Sequence, residues 1–436
     1  MPMGATALPG NKVVAWEAVG QTAGVERARV PRREAASGGG GGCREGFSGA
    51  MRLPLRAAVV CGLLPTAATG AGSCGKRAAA AVSVVSSAAY VTLLVLTAAH
   101  IADVARRDDD GLDEAAWGMA FYGNALLSQL VFARLSRRWP QLLSRWALLE
   151  RDALPPPLAR RIALTAAAIL FGALYEHALS VSVALRALST AHNPLEAYVR
   201  RTHPFLFSAT LLPAYRPWLA PLVLPFAAAA TCVWNFGDLF LILVASGLAA
   251  LLRGANARIS AAAAAQPARK GPLDNAAWWR LRELFADVAA FIKDVDDAIS
   301  PLMLLSFANN LYFICLQLLK GISHLKRGSV LESVYLVSSF GFLLVRACWV
   351  TLSAAAVYDE GRAALPHLFA CPALCPEAQR LQFQISSDNI VLTGMRFFSI
   401  TRNFMLGVAG AIVTYEVVLL QFSVQRSVLN ATMSTR

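Results

Sequence analysis

Seven stretches of this chain are long enough and apolar enough to cross a bilayer, and this limits the fold more than any other feature. A hydrocarbon core about 30 Å thick takes about 20 apolar residues per helix. Residues 78–99 (S1), 115–133 (S2) and 298–319 (S5) carry no charge. Residues 162–185 (S3), 218–252 (S4), 333–358 (S6) and 403–425 (S7) carry one acid or base each, namely Glu176, Asp238, Arg346 and Glu416. Only 15% of the 436 residues are charged and 56% are hydrophobic, against about 25% charged in an ordinary soluble domain. The surplus apolar surface must face lipid. The sequence therefore specifies an all-α polytopic membrane protein with seven transmembrane helices.

Charge in the loops sets the orientation. The loops S2–S3, S4–S5 and S6–S7 hold 18 Lys and Arg residues, and the loops on the opposite side hold 9. The S1–S2 loop adds Asp108, Asp109, Asp110, Asp113 and Glu114. Basic loops stay in the cytoplasm, so the N-terminus is expected inside and the C-terminus outside. The one glycosylation sequon, Asn430-Ala431-Thr432, falls in the tail this places outside. The net charge of +13 belongs to these loops. No segment interleaves basic and aromatic residues as a nucleic-acid surface does, so no nucleic-acid partner is expected.

Residues 1–73 are rich in Ala, Gly and Arg, include a glycine run at 38–42, and read as a disordered cytoplasmic region. Residues 74–401 then hold S1–S6 and the cytoplasmic loops, 402–425 form S7, and 426–436 are an extracellular tail. The eight cysteines include none in a loop placed outside, so no disulfide framework is implied. Cys371 and Cys375 lack the second pair or histidines of a zinc site, and free thiols are the expectation. No metal or cofactor is expected, and no phosphate-binding, nucleophile-elbow or zinc-protease motif marks an enzyme.

Ionisable groups near mid-helix are costly unless paired or used. Arg346 is expected to pair with Asp238 or Glu176, which serves either the bundle alone or a site within it. Converging polar groups beside an aromatic platform make a ligand site. S4 offers Trp234, Asn235 and Asp238 within about one turn, with Trp234 and Asp238 on one face. S3 offers Glu176 and His177, S2 offers Tyr122 and Asn124, and S5 offers Asn309, Asn310, Tyr312 and Gln317. Each alone is better explained by interhelical hydrogen bonding; as a set they exceed what packing needs. In S7, Thr414 and Gln421 share a face, as do Tyr415 and Phe422. Periodicity leaves Phe422 open between a pore constriction and an interfacial anchor.

S7 ends in Thr414-Tyr415, five residues, then Gln421-Phe422. This resembles the signature of the insect gustatory receptor family. ISPLMLLSFANNLYFICLQL (299–318), WNFGDLF (234–240), GMRFFSITR (394–402) and RLSRRWPQLL (134–143) are similar to segments of its sugar-receptor subfamily. The resemblance covers residues from about 60 to 425. It implies a sugar-gated, non-selective cation channel of four like or related subunits in the plasma membrane of a gustatory neuron dendrite. S1–S6 would hold the ligand, and Thr414, Tyr415, Val418, Gln421 and Phe422 would line the pore or gate. A G-protein-coupled receptor is disfavoured by the inside N-terminus, and a secondary transporter by the lack of an internal repeat.

Overall fold

The computed structural model describes residues 46–60, 62–64, 73–106, 112–153, 155, 158–187, 192–207, 216–265, 275–324, 330–371 and 375–434. They are helical almost throughout. Two short helices, α1 (Phe47–Ala50) and α2 (Arg52–Val60), precede α3 (Ser73–Arg106), α4 (Leu112–Ala153) and α5 (Ala159–Ala187). A short helix α6 (Pro194–Thr202) and a 3-10 turn (Pro204–Phe207) lead to α7 (Leu219–Ala265). Then come α8 (Asn275–His324), α9 (Val330–Arg362), α10 (Leu365–Phe369) and α11 (Pro376–Ser387). A two-stranded antiparallel hairpin, β1 (Thr393–Gly394) and β2 (Phe398–Ser399), leads into α12 (Arg402–Ser434).

Five helical spans are long and apolar enough to cross a membrane: Cys74–Arg106, Ala159–Arg186, Leu219–Ala265, Asn275–Leu319 and Val330–Phe369. S1, S3, S4, S5 and S6 lie within them. S2 falls in α4, whose apolar stretch is diluted by Asn124, Ser128 and Gln129. Gln129 is buried for a reason: its Nε2 donates to Ser86 Oγ (2.7 Å) and its Oε1 accepts from Ser87 Oγ (2.7 Å), both on α3. S7 falls in α12, which runs on past residue 425 to Ser434. The side chains of Glu416, Phe422 and Asn430 lie outside the described residues, as do residues 1–45.

The sequence divides work between the helices. The apolar window of α7 is 94% buried and that of α5 only 17%, so α7 is the hub and α5 a peripheral helix presenting Leu170, Phe171 and Leu174 outward. At about 1.5 Å per residue, the 47 residues of α7 and 50 of α8 span roughly 70–75 Å, more than twice a hydrocarbon core. Their C-terminal and N-terminal halves, respectively, extend past it with the end of α4. There they form a base closed by α10, α11 and the hairpin.

The base is packed and charge-matched. The Phe47 ring stacks on Trp146 (centroids 3.8 Å, 7°), which meets Phe291 edge-on at 5.5 Å. The Phe47 amide donates to Glu150 Oε1 at 2.8 Å, and burial raises the Glu150 carboxyl above its usual range. A Cβ on Gly247 would lie 2.5 Å from Trp146 and 2.7 Å from Phe47, so only glycine lets α7 pass beneath the stack. Phe47, Met51 and Leu55 are fully or almost fully buried. The expectation of disorder through residue 73 therefore fails over Phe47–Val60. Those few apolar residues have no period of their own, and it is the aromatic groove of α4, α7 and α8 that orders them. Around the rim run ion pairs Arg253–Glu360 (2.6 Å), Arg282–Glu377 (2.8 Å), Lys293–Asp388 (3.2 Å) and Arg402–Asp359 (2.8 Å).

Candidate ligand cavity

At the other end the helices splay around a cavity of about 730 Å³. It is walled by the N-terminal part of α4, the C-terminal part of α5, the N-terminal half of α7, and the facing ends of α8 and α9, with α6 and its capping residues Asn193 and His203 contributing from the α5–α7 connection. Asn193 caps α6 by accepting from the Glu196 amide (3.3 Å). This short capped helix is how the connection places Tyr198 and His203 against the cavity.

One wall is polar. Ser339 Oγ on α9 donates to Glu176 Oε1 on α5 at 2.7 Å, and Gln317 Nε2 on α8 donates to the same hydroxyl at 3.2 Å. Three helices thus meet at one serine. The rest is largely aromatic. Trp234 and Phe313 lie with ring centroids 4.5 Å apart, and Trp117 stacks on Phe121 at 5.0 Å. Two polar atoms on this lining have no hydrogen-bond partner among the described residues although they are buried: Tyr122 Oη and Gln317 Oε1. A buried polar atom left unpaired costs about 1–3 kcal/mol. His203 Nδ1 lies 2.7 Å from Thr202 Oγ1, and burial pushes the imidazole pKa down to about 4.

Of the eight residues expected to contact ligand, Glu176, His177, Trp234, Tyr122 and Gln317 line the cavity. Asn235, Asp238 and Asn310 do not. They form a buried cluster with Arg346 that meets the lining through Trp234. Arg346 Nε lies 2.7 Å from Asp238 Oδ2, and both side chains are at most 2% exposed. Asp238 also accepts from Ser306 Oγ (2.5 Å) and Asn310 Nδ2 (3.2 Å). Arg346 donates to Asn235 Oδ1. The loop closes on the platform: Trp234 Nε1 donates to Asn310 Oδ1 (3.3 Å), and the Arg346 guanidinium sits 4.6 Å from the Trp234 ring centroid. Asp238 is buried away from the lining, and three of the roughly four acceptor sites of its carboxylate are taken by a guanidinium, a hydroxyl and an amide, so it serves the cluster. Four apart on one helix face, Trp234 and Asp238 differ by one turn of depth, and that turn separates lining from core. The sequence reading missed Trp117, Tyr198, His203, Phe313 and Ser339. The i, i+4 pair Trp117 and Phe121 was the available signal for the first; the others depend on chain connections that carry no periodicity, or on ordinary helix residues.

Comparison with known proteins agrees with this architecture. The family described as "Trehalose receptor" matches residues 43–431. Gustatory receptor 5a for trehalose of Drosophila melanogaster is 35% identical over 70% of this chain and 68% of its own length. Gustatory receptor for sugar taste 64f of the same species is 34% identical over 69% of this chain and 65% of its own. The structure of the insect olfactory receptor OR5 from Machilis hrabei superposes with a TM-score of 0.61 at 15% identity, covering 85% of this chain and all of that one. In complex with eugenol, the same receptor superposes at 0.56. This is an insect chemoreceptor fold. The chain belongs to the trehalose receptor family, within the sugar receptors of the insect gustatory receptors.

Proposed function

We propose that this chain is a sugar-gated, non-selective cation channel subunit of the plasma membrane, with α12 of four like or related subunits lining one pore. The observation that carries the reading is the cavity: a Glu176–Ser339–Gln317 wall facing aromatic rings, with Tyr122 Oη and Gln317 Oε1 buried and unpaired. Hydroxyls suit the Glu176–Ser339–Gln317 wall, and weakly apolar sugar ring faces suit Trp234 and Phe313. The trehalose named for the relative fits this chemistry. Glu176, His177, Trp234, Tyr122 and Gln317 would contact the sugar. Every lining segment lies at the helix ends that the basic-loop pattern puts outside the cell, which supports an N-terminus inside and a C-terminus outside.

The pore assignment draws on α12. Leu406, Val413, Tyr415 and Val418 are exposed, an apolar surface that needs lipid or other helices. Thr414 spends its hydroxyl on the Gly410 carbonyl (2.9 Å), and Gln421 is exposed. In the proposed gate a ring of four Phe422 side chains excludes water, and opening exchanges Phe422 for Gln421. The sugar drives opening only through its higher affinity for the open state.

Whole-cell recording with trehalose and other sugars tests the reading. A current that reverses near zero and persists when G-protein signalling is blocked is expected. A sugar response abolished by that block refutes the channel. Phe422→Ala is expected to raise the resting leak. A well-expressed variant that is silent at rest and opens normally assigns Phe422 to the membrane interface instead.

A further inference from the structure

We propose that a groove between the N-terminal end of α5 and α9 holds one anionic phospholipid, its phosphate on Arg160 and Arg161 and its acyl chain against Leu164, Ala168 and Trp349. The groove measures about 650 Å³ and is lined by those five residues and Thr165. It lies at the other end of the bundle from the sugar cavity. Arg160 and Arg161 are exposed and make no ion pair among the described residues, whereas Arg253, Arg282 and Arg402 in the neighbouring base are each held by an acid. Leu164 is 61% exposed and belongs to the apolar span Ala159–Arg186.

The order of chemistry along the groove selects its occupant. Two guanidiniums stand at the start of α5, Leu164 and Ala168 follow one and two turns along it, and the Trp349 indole on α9 faces them. Guanidiniums bind phosphate through paired N–H donors, and tryptophan favours the headgroup level. A lipid with an anionic headgroup presents phosphate and hydrocarbon in that order and at that spacing. A second copy of this chain would need a free acidic group at the level of the arginines. Asp359, Glu360 and Glu377 at this end hold Arg402, Arg253 and Arg282, and Asp152, Glu283 and Asp287, which make no ion pair among the described residues, line a separate groove beside Arg258 and Arg280. Free inorganic phosphate would satisfy the arginines but leave the apolar wall bare.

The full-length protein, purified in mild detergent, would be incubated with equal amounts of phosphatidylserine and phosphatidylcholine, and retained lipid counted by native mass spectrometry. Each basic residue near an anionic surface contributes about 1 kcal/mol, so two give on the order of a thirtyfold preference for phosphatidylserine. The double variant R160Q/R161Q should lose that preference while unfolding at the same temperature. R160K/R161K, which keeps both charges, should retain most of it. Equal retention of the two lipids by the wild type would falsify the proposal, as would a preference that survives R160Q/R161Q. Displacement of the lipid by millimolar inorganic phosphate would show that the arginines alone form the site, with no acyl contribution. A disulfide between subunits in a Leu164→Cys variant would give the groove to a neighbouring copy. Should R160Q/R161Q fail to fold, Trp349→Ala serves instead and is expected to weaken retention of both lipids.

Discussion

The cavity end and the base are built from the same long helices, yet they satisfy their polar groups in opposite ways. In the base, acids meet bases across helices, Asp296 accepts from both the amide and hydroxyl of Thr393 (2.7 and 2.8 Å), and the Phe47–Trp146–Phe291 stack closes the interior. At the cavity, polar atoms stay unpaired and the rings surround open space. The base also keeps a buried unpaired atom, Asn256 Oδ1, but its interior is filled, whereas the other end encloses a cavity of about 730 Å³. Between them lies the Arg346–Asp238 cluster, which joins α7, α8 and α9 just where lining becomes core. Ser306 of that cluster is followed by Phe307, whose ring meets Phe398 and Phe404 at 5.4 Å each. Phe398 opens β2 of the hairpin and Phe404 lies in the first turn of α12. The junction is thus within one residue of the helix proposed to line the pore.

The largest expected effect falls on that junction. Arg346→Ala leaves Asp238 buried without its counter-charge, and breaking such a pair costs about 3–5 kcal/mol. Surface expression should collapse, and a double variant with Asp238→Leu and Arg346→Met should restore part of it. If Arg346→Ala expresses and melts like the wild type, the cluster does not hold the two halves together.

Next comes the base. Trp146→Ala removes the partner of both Phe47 and Phe291, and deletion of a buried aromatic costs about 3–5 kcal/mol at a fully packed site. Partial collapse around Gly247 should keep the loss near the lower end. The melting temperature of the solubilised protein should drop while the half-maximal sugar concentration of surviving channels stays put. A shift in sugar sensitivity without a drop in stability would erase the distinction between the halves.

The reverse pattern is expected for the cavity wall. Trp234→Phe keeps a ring but loses the hydrogen bond to Asn310, and Glu176→Gln keeps the size but not the charge facing Ser339. Each should raise the half-maximal sugar concentration about tenfold, the equivalent of about 1.4 kcal/mol, with melting changed little. Dose–response curves on variants matched for surface expression measure this. An unchanged response in both removes the sugar from this cavity.

How much of this the sequence displayed follows the same division. Helix existence was legible because burial in lipid demands long apolar runs, and the runs are there. Mid-helix charges flagged Asp238 and Arg346 correctly as special. They could not show that Asp238 serves Arg346 and not a ligand, because four-residue spacing fixes a face and not a depth. The projection of α4, α7 and α8 beyond the bilayer was partly hidden: only S4 was visibly overlong, since the extensions of α4 and α8 are amphipathic and read as loops. Phe47–Val60 was illegible because its order comes from a groove formed by residues about 100 to 240 positions away. The hairpin was invisible too. Its turn sets Met395 and Arg396 at φ 50° and 62°, values that sequence would assign to glycine or asparagine. The tertiary contacts that hold them there include the Arg396–Asp297 ion pair (2.8 Å).

The smallest effect is expected from acid, and it acts through His203. Thr202 has one hydroxyl proton, which it gives to the Tyr198 carbonyl (2.8 Å). Its oxygen therefore accepts from His203 Nδ1–H, and Nε2 is the nitrogen left to take a proton. Burial lowers the imidazole from its ordinary 6.5 to about 4, so between those values the unfolded chain binds a proton that the folded chain refuses. Stability must then fall as pH drops through that window and level off below about 4. From pH 7 to 5.5 the loss is about 1 kcal/mol, a small decrease in melting temperature. His203→Gln keeps a polar side chain of similar reach but has nothing to titrate. It should flatten the acid slope of the melting curve, while the base, which the substitution does not touch, contributes equally in both proteins. A slope unchanged by His203→Gln would move the acid sensitivity away from the cavity and onto the rest of the chain.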